Sequence, residues 1–222
     1  MFRVSSISQI QNVIIPHFDK YPLVTQKLAD YLLFRDAIKL ISLKEHLSTE
    51  GLYSIINIKA SLNRGLSVKL TEAFPNSIKV NRPIVANQII PHSMWIAGFT
   101  SAEGCFLVSF FKSTTKLGST PRLVFSITQH SRDEVILQNL VTYLGCGRYA
   151  KRTTGDAGDF ICSKLSDIVE KIIPFFNEYP IIGYKEKNFE GWKKVANLIK
   201  SKAHLTQEGL DLISKLKSDV NK

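Results

Sequence analysis

The chain of 222 residues has few acidic side chains: 19 Asp and Glu stand against 29 Lys and Arg, a formal net charge of +10. Such a surplus argues against a cationic main partner and for an anionic one. It is steepest between Cys105 and Arg152, where Lys112, Lys116, Arg122, Arg132, Arg148, Lys151 and Arg152 face only Asp133 and Glu134. That density points to phosphate. Cysteine is scarce, and Cys105, Cys146 and Cys162 have neither paired nor metal-ligand spacing, which excludes a disulfide scaffold and a structural zinc. All three are expected to be reduced and buried. No apolar run reaches the length of a membrane span, and Met1 is followed by a mixed polar stretch rather than a charged and then apolar leader, so neither membrane contact nor export is expected. What the chain does have is 44% apolar residues, enough for a real core in one domain or two joined ones.

The sequence repeats itself. A shift of 158 positions lays Ile10 to Asn63 onto Ile168 to Asn221 without a gap, with about a third of the positions identical. Ile14-Ile15-Pro16 meets Ile172-Ile173-Pro174, Tyr21-Pro22 meets Tyr179-Pro180, Lys27 meets Lys185, and Glu50-Gly51-Leu52 meets Glu208-Gly209-Leu210. Duplication of this kind implies pseudo-twofold symmetry within one chain. The expected organisation is residues 1–72 as the helical later part of a first repeat, 73–93 as a linker with three prolines, and 94–222 as a complete second repeat.

Periodicity predicts a helix over Ser8 to Phe18 that Pro16 ends or kinks, and another from about Thr25 to Ser42. Ser48 is placed to cap a third helix, with Leu47 and Leu52 as an apolar staple, and Leu205, Thr206 and Leu210 repeat the device. His46 and His204, inside that device, are read as packed or hydrogen-bonded structural residues. Trp95 to Glu103 reads as a helix, Cys105 to Ser113 and Arg122 to His130 as a hairpin turning at Lys116 to Thr120, Asp133 to Leu144 as a helix closed by Gly145, and Arg148 to Thr153 with Phe160 to Leu165 as a second hairpin. Phe110, Phe111 and Phe125 are read as core.

Ile96-Ala97-Gly98-Phe99-Thr100-Ser101-Ala102-Glu103-Gly104 is the most distinctive stretch. Ala97, Gly98, Ser101 and Ala102 recur at spacings of three and four and form a small-residue side along which another backbone can approach. Glu103 falls in the last turn, before a glycine expected to stop the helix by adopting positive φ. A carboxylate is unfavourable at that negative helix end. It is either a solvated turn residue or the ligand of a cation that neutralises it.

This stretch resembles the motif of the LAGLIDADG homing endonucleases, and Tyr21-Pro22, Lys44-Glu45-His46-Leu47, Ala73-Phe74-Pro75-Asn76 and Ile127-Thr128-Gln129-His130 are similar to signatures of the two-motif, fungal mitochondrial, intron-encoded group. The resemblance covers essentially the whole chain. It implies an α+β fold in which an αββαββα unit with a curved antiparallel sheet follows the helical part of a first repeat. It implies a site-specific endonuclease that hydrolyses double-stranded DNA with Mg²⁺ or another divalent cation. Glu103 and the Ala102 backbone carbonyl would hold metal, Gln129 would orient metal-bound water, and Lys27 and Lys185 would flank the centre. On their own, Gln129 reads equally as a strand-end hydrogen bonder and the lysines as a solvated helix face. Lys116, Arg122, Ser126, Arg148, Lys151 and Arg152 are the expected DNA contacts. The first motif is not found in the chain, so three readings stay open: a fragment of a longer frame, a partner for a second chain that supplies the missing helix, or an intron RNA splicing cofactor. Richness in Ile, Lys, Asn, Phe and Tyr matches AT-rich organelle coding and points to mitochondria.

Overall fold

The computed structural model describes residues 3–114 and 117–220, and the chain divides into two compact units, Met1–Gln88 and Ile89–Lys222.

The first unit is helical among the described residues. It contains α1 (Ile7–Gln9), α2 (Ile15–Lys20), α3 (Lys27–Ser42), α4 (Thr49–Ser61) and α5 (Val68–Ala73). Between α1 and α2 the chain makes one wide π-turn, in which the Ile15 amide donates to the Ile10 carbonyl. The helix therefore does not end at Pro16: the widened turn carries it past a ring and a missing N–H that would break an ordinary ladder, and it runs to Lys20. Ser48 caps α4 by accepting from the Gly51 amide at 3.0 Å. Gly51 itself is dictated by space, since a Cβ there would lie 1.9 Å from the Glu45 carbonyl oxygen. The stretch expected as a linker is irregular but pinned: Ser61 Oγ donates to the Val80 carbonyl, Gln26 Nε2 to the Val85 carbonyl, and Val85 and Gln88 are buried.

The second unit has α6 (Ser93–Glu103), β1 (Gly104–Lys112), β2 (Ser119–His130), α7 (Glu134–Leu144), β3 (Arg148–Lys151), β4 (Ala157–Cys162), α8 (Leu165–Asp167), α9 (Ile173–Glu178), α10 (Tyr184–Lys200) and α11 (Gln207–Val220). The strands form one antiparallel sheet in the order β1-β2-β4-β3. Strand alternation sends Phe106, Val108, Leu123, Phe125, Ile127, Phe160 and Cys162 to one face, where they are buried among α7, α10 and α11. Phe106 and Phe125 stack at 5.0 Å and meet Phe176, Phe189 and Trp192. Each such ring removed from water contributes on the order of 2 kcal/mol. A second π-turn, Ile168–Ile172, carries the chain past Pro174 as the first does past Pro16.

Two expectations are corrected on the opposite face, on which no helix of this unit packs among the described residues. Cys105 is exposed rather than buried, because it alternates out of register with Phe106. Phe111 is 47% exposed for the same reason, and the Arg122 guanidinium lies 5.4 Å from its ring centre. On the helix-bearing face Phe110 is only half-buried, with the Lys217 ammonium 5.5 Å from its ring centre, while Phe125 is fully buried as expected. Cys146 and Cys162 are buried thiols with their sulfurs 4.0 Å apart, and the hydrogen bond to Cys146, together with burial, holds the Cys162 thiol well above its ordinary range. The Nδ1 atoms of His46 and His204 are buried with no hydrogen-bond partner among the described residues, so these rings are packed rather than bonded through that atom.

Candidate functional site

Helix α6 begins where His92 Nδ1 accepts from the Met94 amide at 3.0 Å, and Trp95 stacks on Phe99 at 4.6 Å. Ile96, Ala97 and Thr100 are its buried side, whereas Gly98, Ala102 and Glu103 are exposed. The small-residue side is thus narrower than the spacing implied, with Ala97 in the core and Gly98 and Ala102 open. A Cβ built on Gly98 meets nothing within 4 Å. Gly104 has φ −70, an extended conformation open to any residue. Glycine is needed there because a Cβ would fall 2.5 Å from Thr100 Cγ2 and 2.7 Å from the Thr100 carbonyl oxygen.

That close approach turns the chain directly from Glu103 into β1 and leaves the carboxylate at the lip of a pocket of about 350 Å³ lined by Glu103 to Leu107, Lys185, Asn188 and Val220. Lys185 Nζ donates to the Ala102 carbonyl at 3.3 Å and to the Gly104 carbonyl at 2.5 Å. Its ammonium satisfies carbonyls at the negative end of α6 and sets a positive charge beside the acid. Asn188 is one helical turn on, and its buried Oδ1 lacks a partner among the described residues. Gln129 is half-buried on β2, two residues beyond Ile127, the partner of Gly104.

Lys27 stands in the first unit. Its ammonium donates to Asn63 Oδ1 at 3.1 Å and lies 3.6 Å from Asp30 Oδ2. Asp30 is buried and accepts from Arg82 Nη1 at 2.5 Å and the Asn63 amide at 3.2 Å. Burial raises the affinity of this carboxyl for a proton, but Arg82 and Asn63 outweigh it and hold Asp30 below the usual carboxylate range.

The helix-free face of the sheet collects several of the expected contacts. The register aligns Cys105, Ser126, Ile161 and Arg148 in one row across the strands, and Thr128, Asp159 and Ala150 in the next. Arg122 is exposed on the same face, its Nη2 3.4 Å from Ser163 Oγ. Lys151 has the other parity: it pairs with Gly158, which pairs with Gln129, so it belongs to the row of the helix-bearing face, exposed on the edge strand. Lys116 lies outside the described residues. Arg152 is held by Asp159, its Nε and Nη2 each 2.8 Å from one carboxylate oxygen, and Nη2 also reaches Thr128 Oγ1 at 3.1 Å. The guanidinium foremost, and Thr128 after burial's opposing effect, keep Asp159 below its ordinary range. Asp159 and Thr128 were not among the expected site residues. Only the register, which brings Asp159 beside Thr128 and diagonal to Arg152, could have found them.

A family model described as LAGLIDADG endonuclease matches residues 1–38 and 96–196. A protein named "Probable intron-encoded endonuclease 2" of Neurospora crassa is 40% identical over 229 residues, which take in 99% of this chain and 49% of that protein. The chain therefore spans about half the length of that curated relative. Among solved structures, I-SmaMI bound to an uncleaved DNA target in the presence of calcium ions superposes with a TM-score of 0.97 at 44% identity, over 100% of this chain and 76% of that one. I-SmaMI bound to cleaved DNA gives 0.96 at 44% identity, over 98% and 73%. A variant of I-SmaMI with two lysines replaced by alanine matches at 0.97 and 44% identity, over 100% and 76%.

Proposed function

This chain belongs to the LAGLIDADG endonuclease family, and from that premise we propose that it serves site-specific, divalent-metal-dependent cleavage of double-stranded DNA. The observation that carries the reading is the junction of α6 and β1. A single carboxylate, Glu103, ends the motif helix with the Lys185 ammonium against the neighbouring carbonyls, and the helix-free face of the sheet, with Arg122, Arg148 and Arg152, starts two residues on at Cys105.

The Glu103 carboxylate and the Ala102 carbonyl are hard oxygen donors, which suits a cation such as Mg²⁺ that retains several of its own waters. Such an ion supplies charge neutralisation at the phosphate and an activated water. Around it this chain provides Glu103 as a ligand, Gln129 at the end of β2 to orient water, and Lys185 to offset charge that builds on the phosphate. Lys27 is proposed as the counterpart of Lys185. The two lysines replaced in the I-SmaMI variant stand almost as far apart along that chain as Lys27 and Lys185 do here, which supports treating them as a pair.

Cutting both strands takes a carboxylate helix for each. The second is proposed to come from another segment of a longer polypeptide or from a second chain. A sheet face with basic and hydroxyl side chains suits the wide major groove of duplex DNA, and the deep, narrow major groove of A-form RNA admits it poorly. The relatives' intron-encoded character supports an origin in an organelle intron, which we place in mitochondria.

The test is Mg²⁺-dependent cutting of a randomised duplex library by the wild-type chain and by Glu103→Gln. The expected outcome is that Glu103→Gln cuts at least a hundredfold more slowly and binds duplex within about twofold of wild type. Cutting by Glu103→Gln at the wild-type rate, where the wild-type chain cuts, would remove Glu103 from the chemistry and overturn the reading.

A further inference from the structure

Among the three arginines of the helix-free face, Arg152 is the one whose direction is most fully fixed. Asp159 takes Nε and Nη2, each at 2.8 Å, in a side-on fork. Thr128 Oγ1 accepts a further contact from Nη2 at 3.1 Å and itself donates to Asp159 Oδ1 at 2.5 Å. The backbone registers the three groups: Thr128 pairs with Asp159, and the Arg152 amide donates to the Ala157 carbonyl two residues before it. Among the described residues Nη1 has no acceptor, and it is left to present to a partner. Arg122, by comparison, rests on the Phe111 ring with one long contact to Ser163 Oγ.

Two consequences follow from elementary electrostatics and entropy. First, a phosphate approaching Arg152 also approaches the Asp159 carboxylate, so the pair offers a poly-anion little net attraction. Second, the rotamer freedom of a long arginine, about 2 kcal/mol, is already surrendered in the free protein, so a directional acceptor is met at low entropic cost. A donor that is charge-balanced and rigid suits recognition of position more than of charge.

We propose that Arg152 reads an acceptor on a base edge in the major groove, a purine N7 or a guanine O6, and that Asp159 and Thr128 are positioning residues that aim it. The proposal rests on the duplex-DNA reading above. It also places the recognised base near the cut, because Thr128 follows Ile127, the partner of Gly104, and so lies at the Glu103 end of the sheet.

The experiment measures binding of the full chain to a randomised duplex library, and the salt dependence of affinity, for wild type, Arg152→Lys, Asp159→Asn, Thr128→Val and Arg148→Ala. Arg152→Lys keeps the charge and loses the fork. It is expected to relax preference at one position by about tenfold with the salt slope unchanged. Asp159→Asn is expected to relax the same position while binding non-cognate duplex more tightly, since it removes a negative charge. Thr128→Val, which keeps the shape of an outward side chain, is expected to relax that position to a smaller extent and guards against a misfolded Asp159→Asn. Arg148→Ala should instead weaken all sequences and reduce the salt slope by about 0.9. If Arg152→Lys leaves the preference profile intact, the base-reading role is overturned and the cluster is a plain ion pair or phosphate contact. If the wild-type chain binds no duplex, the DNA reading falls and this proposal falls with it; a profile that keeps its preferences elsewhere and is unchanged by Arg152→Lys sinks only the proposal.

Discussion

Asp30 shows how one buried charge sets the pH response of the first unit. Its carboxyl is held below the ordinary aspartate value by Arg82 and the Asn63 amide against the opposing effect of burial. A depressed folded-state value means that its stabilisation is fully present above the unfolded value, near 3.8, and is lost as pH falls through the lower folded one. Asp30→Asn is therefore expected to unfold at lower urea than wild type at pH 7, with a smaller further loss on going to pH 3. A wild-type and a variant that lose stability in parallel on acidification would show that Asp30 carries none of the effect. At this scale the sequence was legible where a residue's type constrains its place, and blind where only parity does. The motif and the repeat singled out Glu103 and Lys185, and the structure lays the lysine against the carbonyls either side of the acid. Cys105 and Phe111 were misplaced because apolar character suggested burial while strand alternation put them outside. At Gly104 the sequence suggests a positive φ, whereas contact with Thr100 is what forbids a side chain.

Elements were read more reliably than their irregularities. Helix α3, the two hairpins and α7 fall within a few residues of their expected bounds, because period and turn residues are local signals. The π-turns before Pro16 and Pro174 left no signal beyond the prolines themselves, since the sequence shows the missing donor but not how the ladder widens around it. The capping device was legible twice, and its energy can be measured in the second repeat. Thr206 Oγ1 accepts from the Gly209 amide at 3.1 Å and donates to the Ala203 carbonyl at 2.9 Å. Thr206→Ala should cost about 1 kcal/mol in urea unfolding, and Thr206→Ser should recover most of it. An alanine variant as stable as wild type would show that water serves the Gly209 amide equally well.

On the scale of the whole molecule, the repeat allows the two units to be compared position by position. Ile14, Phe18 and Phe34 of the first unit are half-buried and line an apolar hollow of about 500 Å³, whereas their repeat mates Ile172, Phe176 and Trp192 are buried beneath the sheet. Hydrogen exchange on the full chain should therefore find the amides of β2 and α10 protected well beyond those of α2 and α3. Uniform protection across the two units would contradict that ranking. The exposure of Cys105 has a practical consequence of another kind. Cys146 and Cys162 are shut inside the second unit, so a thiol reagent meets one reachable sulfur, two residues from Glu103 and in the same cross-strand row as Ser126 and Arg148. The molecule carries its own attachment point for a fluorophore or spin label, placed where occupancy of the sheet face could be followed in real time.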